Sequence, residues 1–194
     1  MPATSSTEVL EDETDVAGST DPVPASPPIP RHPLLAAAVA LLTVFSFAKF
    51  GLTPEAFVAA FACAALAVLA AIDIEHRLLP NRILFPAFLV VVVAQVAVAP
   101  DRAVEWLLAG LAAAVFLALP LIIRRDAMGM GDVKLALLLG AVVGWGVFPA
   151  IVIGCFAMLP FALVMLARDR SIKGATLPFG PFLVFGTVVM LFAS

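Results

Sequence analysis

From Leu34 onward the chain alternates long apolar runs with short polar breaks. The runs are Leu34–Phe50, Glu55–Ile72, Ile83–Ala99, Ala103–Ile123, Leu135–Ala167 and Leu177–Ala193. Each is long and uninterrupted enough to predict a helix rather than a strand. Thr53 and Pro54 open the second run as N-cap and first helical residue, and Pro100 closes the third. Leu135–Ala167 is too long for one helix across a membrane. At about 1.5 Å per residue it would reach roughly 50 Å, against a hydrocarbon core of about 30 Å. Gly144, Gly146 and Pro149 lie near its middle and predict a break. The pattern therefore predicts an all-α bundle of about seven spans, forming one transmembrane domain over residues 34–194.

The first 33 residues follow another pattern. They carry six acidic residues (Glu8, Glu11, Asp12, Glu13, Asp15 and Asp21), one basic residue (Arg31), and seven of the chain's 16 prolines. Such a segment buries too little to offset its ordering entropy, which predicts a disordered tail. It is not expected to be a signal peptide, because a basic start is missing and the first apolar run comes late.

Composition rules out most soluble classes. Apolar residues make up 63% of the chain and charged residues 13%, with a mean hydropathy of +1.12. A water-soluble domain of this size has too little interior to hide that much apolar surface. A net charge of −3 argues against a nucleic-acid partner. The two cysteines, Cys63 and Cys155, form no CxxC pair. Neither a zinc site nor another metal or cofactor is expected. The multi-pass reading makes the lipid bilayer the first partner.

Charge distribution then orients the spans. Arg31, Arg77, Arg82, Arg124, Arg125, Lys134, Arg168, Arg170 and Lys173 fall on one side, and Lys49 and Arg102 on the other. The positive-inside bias puts the amino terminus in the cytoplasm and the carboxy terminus outside, in an inner or plasma membrane.

Most polar residues near the spans have ordinary explanations. Trp106 and Trp145 suit membrane interfaces, Gln95 a helix–helix hydrogen bond, and Cys63 and Cys155 small apolar fillers. Two carboxylates resist this. Asp73 follows the unbroken run Phe57–Ile72, and Asp132 opens the fifth span within Gly129-Met130-Gly131-Asp132-Val133-Lys134. Ionisable groups at membrane depth are costly and usually face a cavity or a partner. By the topology both lie at the same end, so they can form a pair. A carboxylate pair hydrolyses a peptide bond without a metal, one member taking a proton from water and the other donating to the carbonyl oxygen. The helix ends favour Asp132 as base, near an N-terminus, and Asp73 as acid, near a C-terminus. Gly129 and Gly131 are expected to give the loop positive φ and let a substrate backbone approach.

These motifs together resemble one family, the type IV prepilin peptidases. Asp73, seven residues before Pro80-Asn81, is similar to the family's first aspartate motif. Gly129–Lys134 resembles its GxGDxK motif, and Pro178-Phe179-Gly180-Pro181 its late PFGP motif. The resemblance covers about residues 55–193. It implies a polytopic aspartic endopeptidase that removes the short basic leader of prepilins or pseudopilins on the cytoplasmic side, after a Gly and before the substrate's apolar helix. It implies Asp73 and Asp132 as the catalytic pair, with Pro80, Asn81, Gly129, Gly131, Lys134, Pro178 and Gly180 shaping the site. Bifunctional members also N-methylate the new amino terminus and carry an insert with paired CxxC motifs. Here only Gly51–Pro54 joins the first two spans, so the chain resembles the peptidase-only branch. Some relatives have a second Asp two residues after the first. Glu75 takes that place here and rivals Asp73 for the acid role from a more exposed position.

Two other readings use the same residues. The presenilin-like group shares GxGD but pairs it with Tyr-Asp and Pro-Ala-Leu motifs, and this chain has no Tyr. An ion-coupled transporter predicts internal repeats and carboxylates near the bilayer midplane. A non-catalytic membrane subunit leaves Asp73 and Asp132 without cause.

Overall fold

The computed structural model describes residues 33–77, 79–123, 129–168 and 178–193. The acidic tail, apart from Pro33, and the basic residues Arg124, Arg125, Arg170 and Lys173 lie outside the described residues. Seven α-helices follow in chain order: α1 Pro33–Phe50, α2 Pro54–His76, α3 Asn81–Val98, α4 Ala103–Ile123, α5 Met130–Val143, α6 Val147–Arg168 and α7 Gly180–Ala193. Short 3-10 turns at Pro100–Arg102 and Gly144–Gly146 join α3 to α4 and α5 to α6. Four helical stretches, α1 to α4, are long and apolar enough to cross a membrane; a fifth, Met130–Val164, runs through α5 and α6, and α7 is a shorter apolar helix. This is the architecture of a multi-pass membrane protein.

The break between α5 and α6 falls at the expected glycines. Gly144 adopts φ +58, a conformation that L side chains avoid, so only glycine turns the chain there without strain. α6 then runs back beside α7. A Cβ on Gly154 would meet the Phe182 carbonyl oxygen at 2.7 Å, and Gly146 faces the Met190 methyl. That antiparallel pairing separates α6 from α5 as a span of its own. Pro149 sits inside the first turn of α6 rather than in the break. Pro86, Pro120 and Pro160 lie within helices, where neighbouring helices in a bilayer help satisfy the freed backbone groups.

Lipid tails are as apolar as leucine, so side-chain burial alone does not drive these helices together; close packing does. Small residues permit it. Gly110 of α4 and Gly140 of α5 cross so closely that a Cβ on Gly140 would fall on the Gly110 backbone. The buried centre is Leu66, Leu69, Leu84, Leu135, Leu138, Leu139 and Leu183, from α2, α3, α5 and α7. Gln95 behaves as expected: its Nε2 donates to the carbonyls of Ala141 and Val142 at 3.1 and 3.2 Å, tying α3 to the end of α5. Two expectations change. Trp106 is buried in the bundle, beneath the Arg102 guanidinium, because the 3-10 turn folds Arg102 back over it. Cys155 is exposed on α6, whose outer face carries Val152, Phe156 and Leu159; a face toward lipid needs no filler.

Candidate active site

α2 does not stop at Ile72. It continues through Asp73 to His76, and Arg77 ends it in the left-handed conformation, with its N–H bonded to the Asp73 carbonyl at 2.9 Å. Asp73 is therefore a helical residue, one turn before the end. Pro80 then stands as N-cap of α3 and Asn81 as its first residue, so four residues separate α2 from α3. Proline suits this place, having no N–H to leave unpaired and a fixed φ.

Three buried polar side chains occur among the described residues: Ser46, Asp73 and Thr187. Ser46 and Thr187 bond to carbonyls four residues back on their own helices, at 2.8 and 2.9 Å. Asp73, 6% exposed, reaches across the bundle instead. The Gly180 N–H, at the start of α7, donates to its Oδ2 at 3.1 Å. A Cβ on Gly180 would sit 2.6 Å from that oxygen, so the approach requires glycine.

Asp132 is the third residue of α5, half-buried in its first turn, with its N–H bonded to the Gly129 carbonyl at 3.0 Å. The two glycines before it act differently from the expectation. Gly129 has φ −73 and Gly131 lies in the helix, so neither takes positive φ. Gly131 is needed for room, since a Cβ there would press on Leu79 at 3.0 Å, whereas one on Gly129 would stand 3.6 Å from Asp132 Oδ2, an ordinary contact. Lys134 Nζ donates to Asn81 Oδ1 at 3.0 Å.

Helix packing brings these parts together. α2 packs on α3 and α7, and α5 packs on the same two helices. At 14 residues each, α5 and α7 run about 21 Å, against about 34 Å for the 23 residues of α2. Both short helices begin at the same end of the bundle. In front of their first turns lies a cavity of about 320 Å³, lined by Asp73, Asp132, Asn81, Lys134, Gly129 and Gly131, with Arg77, Leu79 and Met130. Both aspartates thus face one space. Gly180 stands behind Asp73, while Pro80 and Pro178 flank helix starts outside the cavity lining. Glu75 is absent from the lining and sits exposed in the last turn of α2 rather than in a loop, beside His76 at 4.0 Å.

The sequence assigns neither Arg77 nor Leu79 to the site, yet both line the cavity. Arg77 had a signal, since it follows Asp73 by four and shares its helix face. Leu79 had none, because only its contact with Gly131 gives it a place. A second cavity, of about 330 Å³, opens at the other end of the bundle between Glu55, Gln95, Arg102 and Trp106, and holds a single carboxylate. Among the described residues, no group of three His, Cys, Asp or Glu is placed to hold a metal ion.

Fold and site define a multi-pass helical membrane protein with two carboxylates, from separate helices, sharing one cavity. Residues 60–163 match the type IV leader peptidase family, and the chain belongs to it. It is 29% identical over 171 residues to the prepilin leader peptidase/N-methyltransferase of Pseudomonas aeruginosa, covering 84% of this chain and 59% of that protein. The protein of the same name from Burkholderia pseudomallei is 33% identical over 168 residues, covering 84% and 54%. That of Bacillus subtilis is 33% identical over 160 residues, covering 78% and 63%. The chain therefore spans a little over half the length of these relatives. No solved structure matches it.

Proposed function

We propose that the chain is a membrane-embedded aspartic endopeptidase that cleaves the leader peptide of prepilin or pseudopilin substrates at the cytoplasmic end of the bundle. The observation that carries this reading is the placement of Asp73 and Asp132 in one cavity. Family membership supports the substrate class.

The chemistry balances without a metal. One carboxylate accepts a proton from water as the water oxygen bonds to the scissile carbonyl carbon. The other, protonated, gives its proton to the carbonyl oxygen. The resulting diol collapses when a hydroxyl proton returns to the second carboxylate, and the C–N bond breaks as the first gives its proton to the leaving nitrogen. Gly131 leaves room for Leu79 and Gly180 for Asp73, and Lys134 with Asn81 holds two of the cavity walls together.

Basic residues support a cytoplasmic site. Arg77, Arg82 and Lys134 lie at the site end among the described residues, and Lys49 and Arg102 at the other. The substrate's apolar helix stays in the bilayer while its basic leader lies at the cytoplasmic surface. N-methylation, part of the relatives' name, is not carried over, since only Gly51–Thr53 separates α1 from α2 and this sequence holds no CxxC pair. Co-expression with a prepilin tests the reading: a shortened product whose new amino terminus follows the leader glycine is expected. Unchanged substrate beside membrane-accumulated enzyme contradicts it.

A further inference from the structure

Asp73 is the one buried carboxylate among the described residues, and its hydrogen-bond donor is not a side chain. It is the first N–H of α7. The first amides of a helix have no partner within the helix and point outward along its axis. Here Gly180 aims one at Oδ2 across the bundle, and its lack of a Cβ is what allows the 3.1 Å contact. Oδ1 is left for the cavity.

We propose that the Gly180 N–H is a positioning group for the reaction, fixing the rotamer of Asp73 and stabilising its ionised form so that Oδ1 faces water and substrate. This rests on the aspartic-peptidase reading. The charged groups facing Asp73 are few: Arg77 one turn further along α2, and Asp132 and Lys134 from α5. α3 contributes the neutral Asn81. α7 brings no charged side chain, only its amino-terminal amide. The charge of α1, Lys49, is at the far end, bonded to the Leu191 and Phe192 carbonyls. The amide is thus the fixed donor in a setting where a dyad titrates as a unit.

Replacing residue 180 by glycolic acid, so that an ester oxygen stands where the N–H was, removes the donor and adds no atoms. The assay is cleavage, in detergent micelles, of a synthetic peptide with a basic leader, a glycine and the first turns of an apolar helix. Turnover is expected to fall roughly 10- to 100-fold with KM nearly unchanged. One limb of the bell-shaped pH profile is expected to move up by about one unit, because the ionised form of Asp73 has lost a donor. An acidic limb that moves makes Asp73 the base; an alkaline limb makes it the acid; both support the proposal. Gly180→Ala, which puts a methyl against Oδ2, is expected to lose turnover at least as far. Wild-type turnover with both limbs unmoved in the ester protein overturns the inference. An Asp73→Asn protein run in parallel separates the two levels: inactive Asp73→Asn beside a wild-type-like ester protein sinks only the Gly180 role, whereas active Asp73→Asn sinks the aspartic reading of the site with it.

Discussion

Lys134 Nζ and Asn81 Oδ1 lie 3.0 Å apart and join residues 53 positions distant in the chain. The contact ties the second turn of α5 to the first turn of α3 beside the cavity. Each helix carries or adjoins one aspartate: Asp132 precedes Lys134 by two, and Asp73 is on the helix that turns into α3 through Pro80. Lys134→Met and Asn81→Ala are each expected to lower turnover roughly 3- to 30-fold by loosening that register. If the bond is the reason, the double variant is no slower than the worse single one. A double-mutant cycle on cleavage rate checks this, and simple multiplication of the two losses denies the coupling.

Glu75 is two residues from Asp73, and residues two apart on a helix do not share a face. It is exposed and outside the cavity lining. Glu75→Gln is expected to keep wild-type cleavage within about twofold, a change of less than about 0.5 kcal/mol. A rate assay at fixed pH decides, and a loss comparable to that from the aspartate variants would make Glu75 a member of the site.

Much of this was legible in the residue pattern. The fourth helix occupies the expected Ala103–Ile123, because an unbroken apolar run between polar turns fixes both its ends. Asp73 and Asp132 stood out because carboxylates are expensive at membrane depth. What the pattern could not supply was cross-chain geometry. The positive φ expected at Gly129 and Gly131 occurs instead at Gly144 and Gly51; a glycine needed for φ and one needed for space look alike in sequence. Nor does spacing say that Gly180 touches Asp73 across 107 positions, since that contact exists only once α7 is packed on α2.

The Gly110–Gly140 crossing gives a stability test away from the chemistry. A Cβ at residue 140 would strike backbone, which cannot yield as a flexible side chain can. Gly140→Leu is expected to cost 3 kcal/mol or more, at or above the range of about 1–3 kcal/mol for overpacked interiors. Thermal unfolding in detergent measures it. An unchanged midpoint would mean α4 and α5 do not meet there.

Orientation is tested by labelling. In a Cys155→Ala background, a cysteine at Thr53, in the α1–α2 turn, is expected to react with an impermeant maleimide added outside the cell. One at Arg82, beside the site, is expected to react only after the membrane is opened. Both positions are exposed, and Cys63 is buried, so background labelling stays low. The reverse pattern would put the site outside and remove the cytoplasmic reading.

The central claim is that Asp73 and Asp132 act as one pair, and the most direct measurement is leader cleavage by Asp73→Asn and Asp132→Asn proteins. Asparagine keeps the size of the side chain, and its oxygen can still accept the Gly180 N–H, so both proteins are expected to accumulate in the membrane at wild-type levels. Dropping a charge from a site sheltered from water relieves a cost rather than adding one. The predicted result is no detectable cleavage from either variant, because neither half of the proton transfer works alone. Full cleavage by either one, at normal abundance, would contradict the pair and leave that aspartate as a structural residue at the end of its helix.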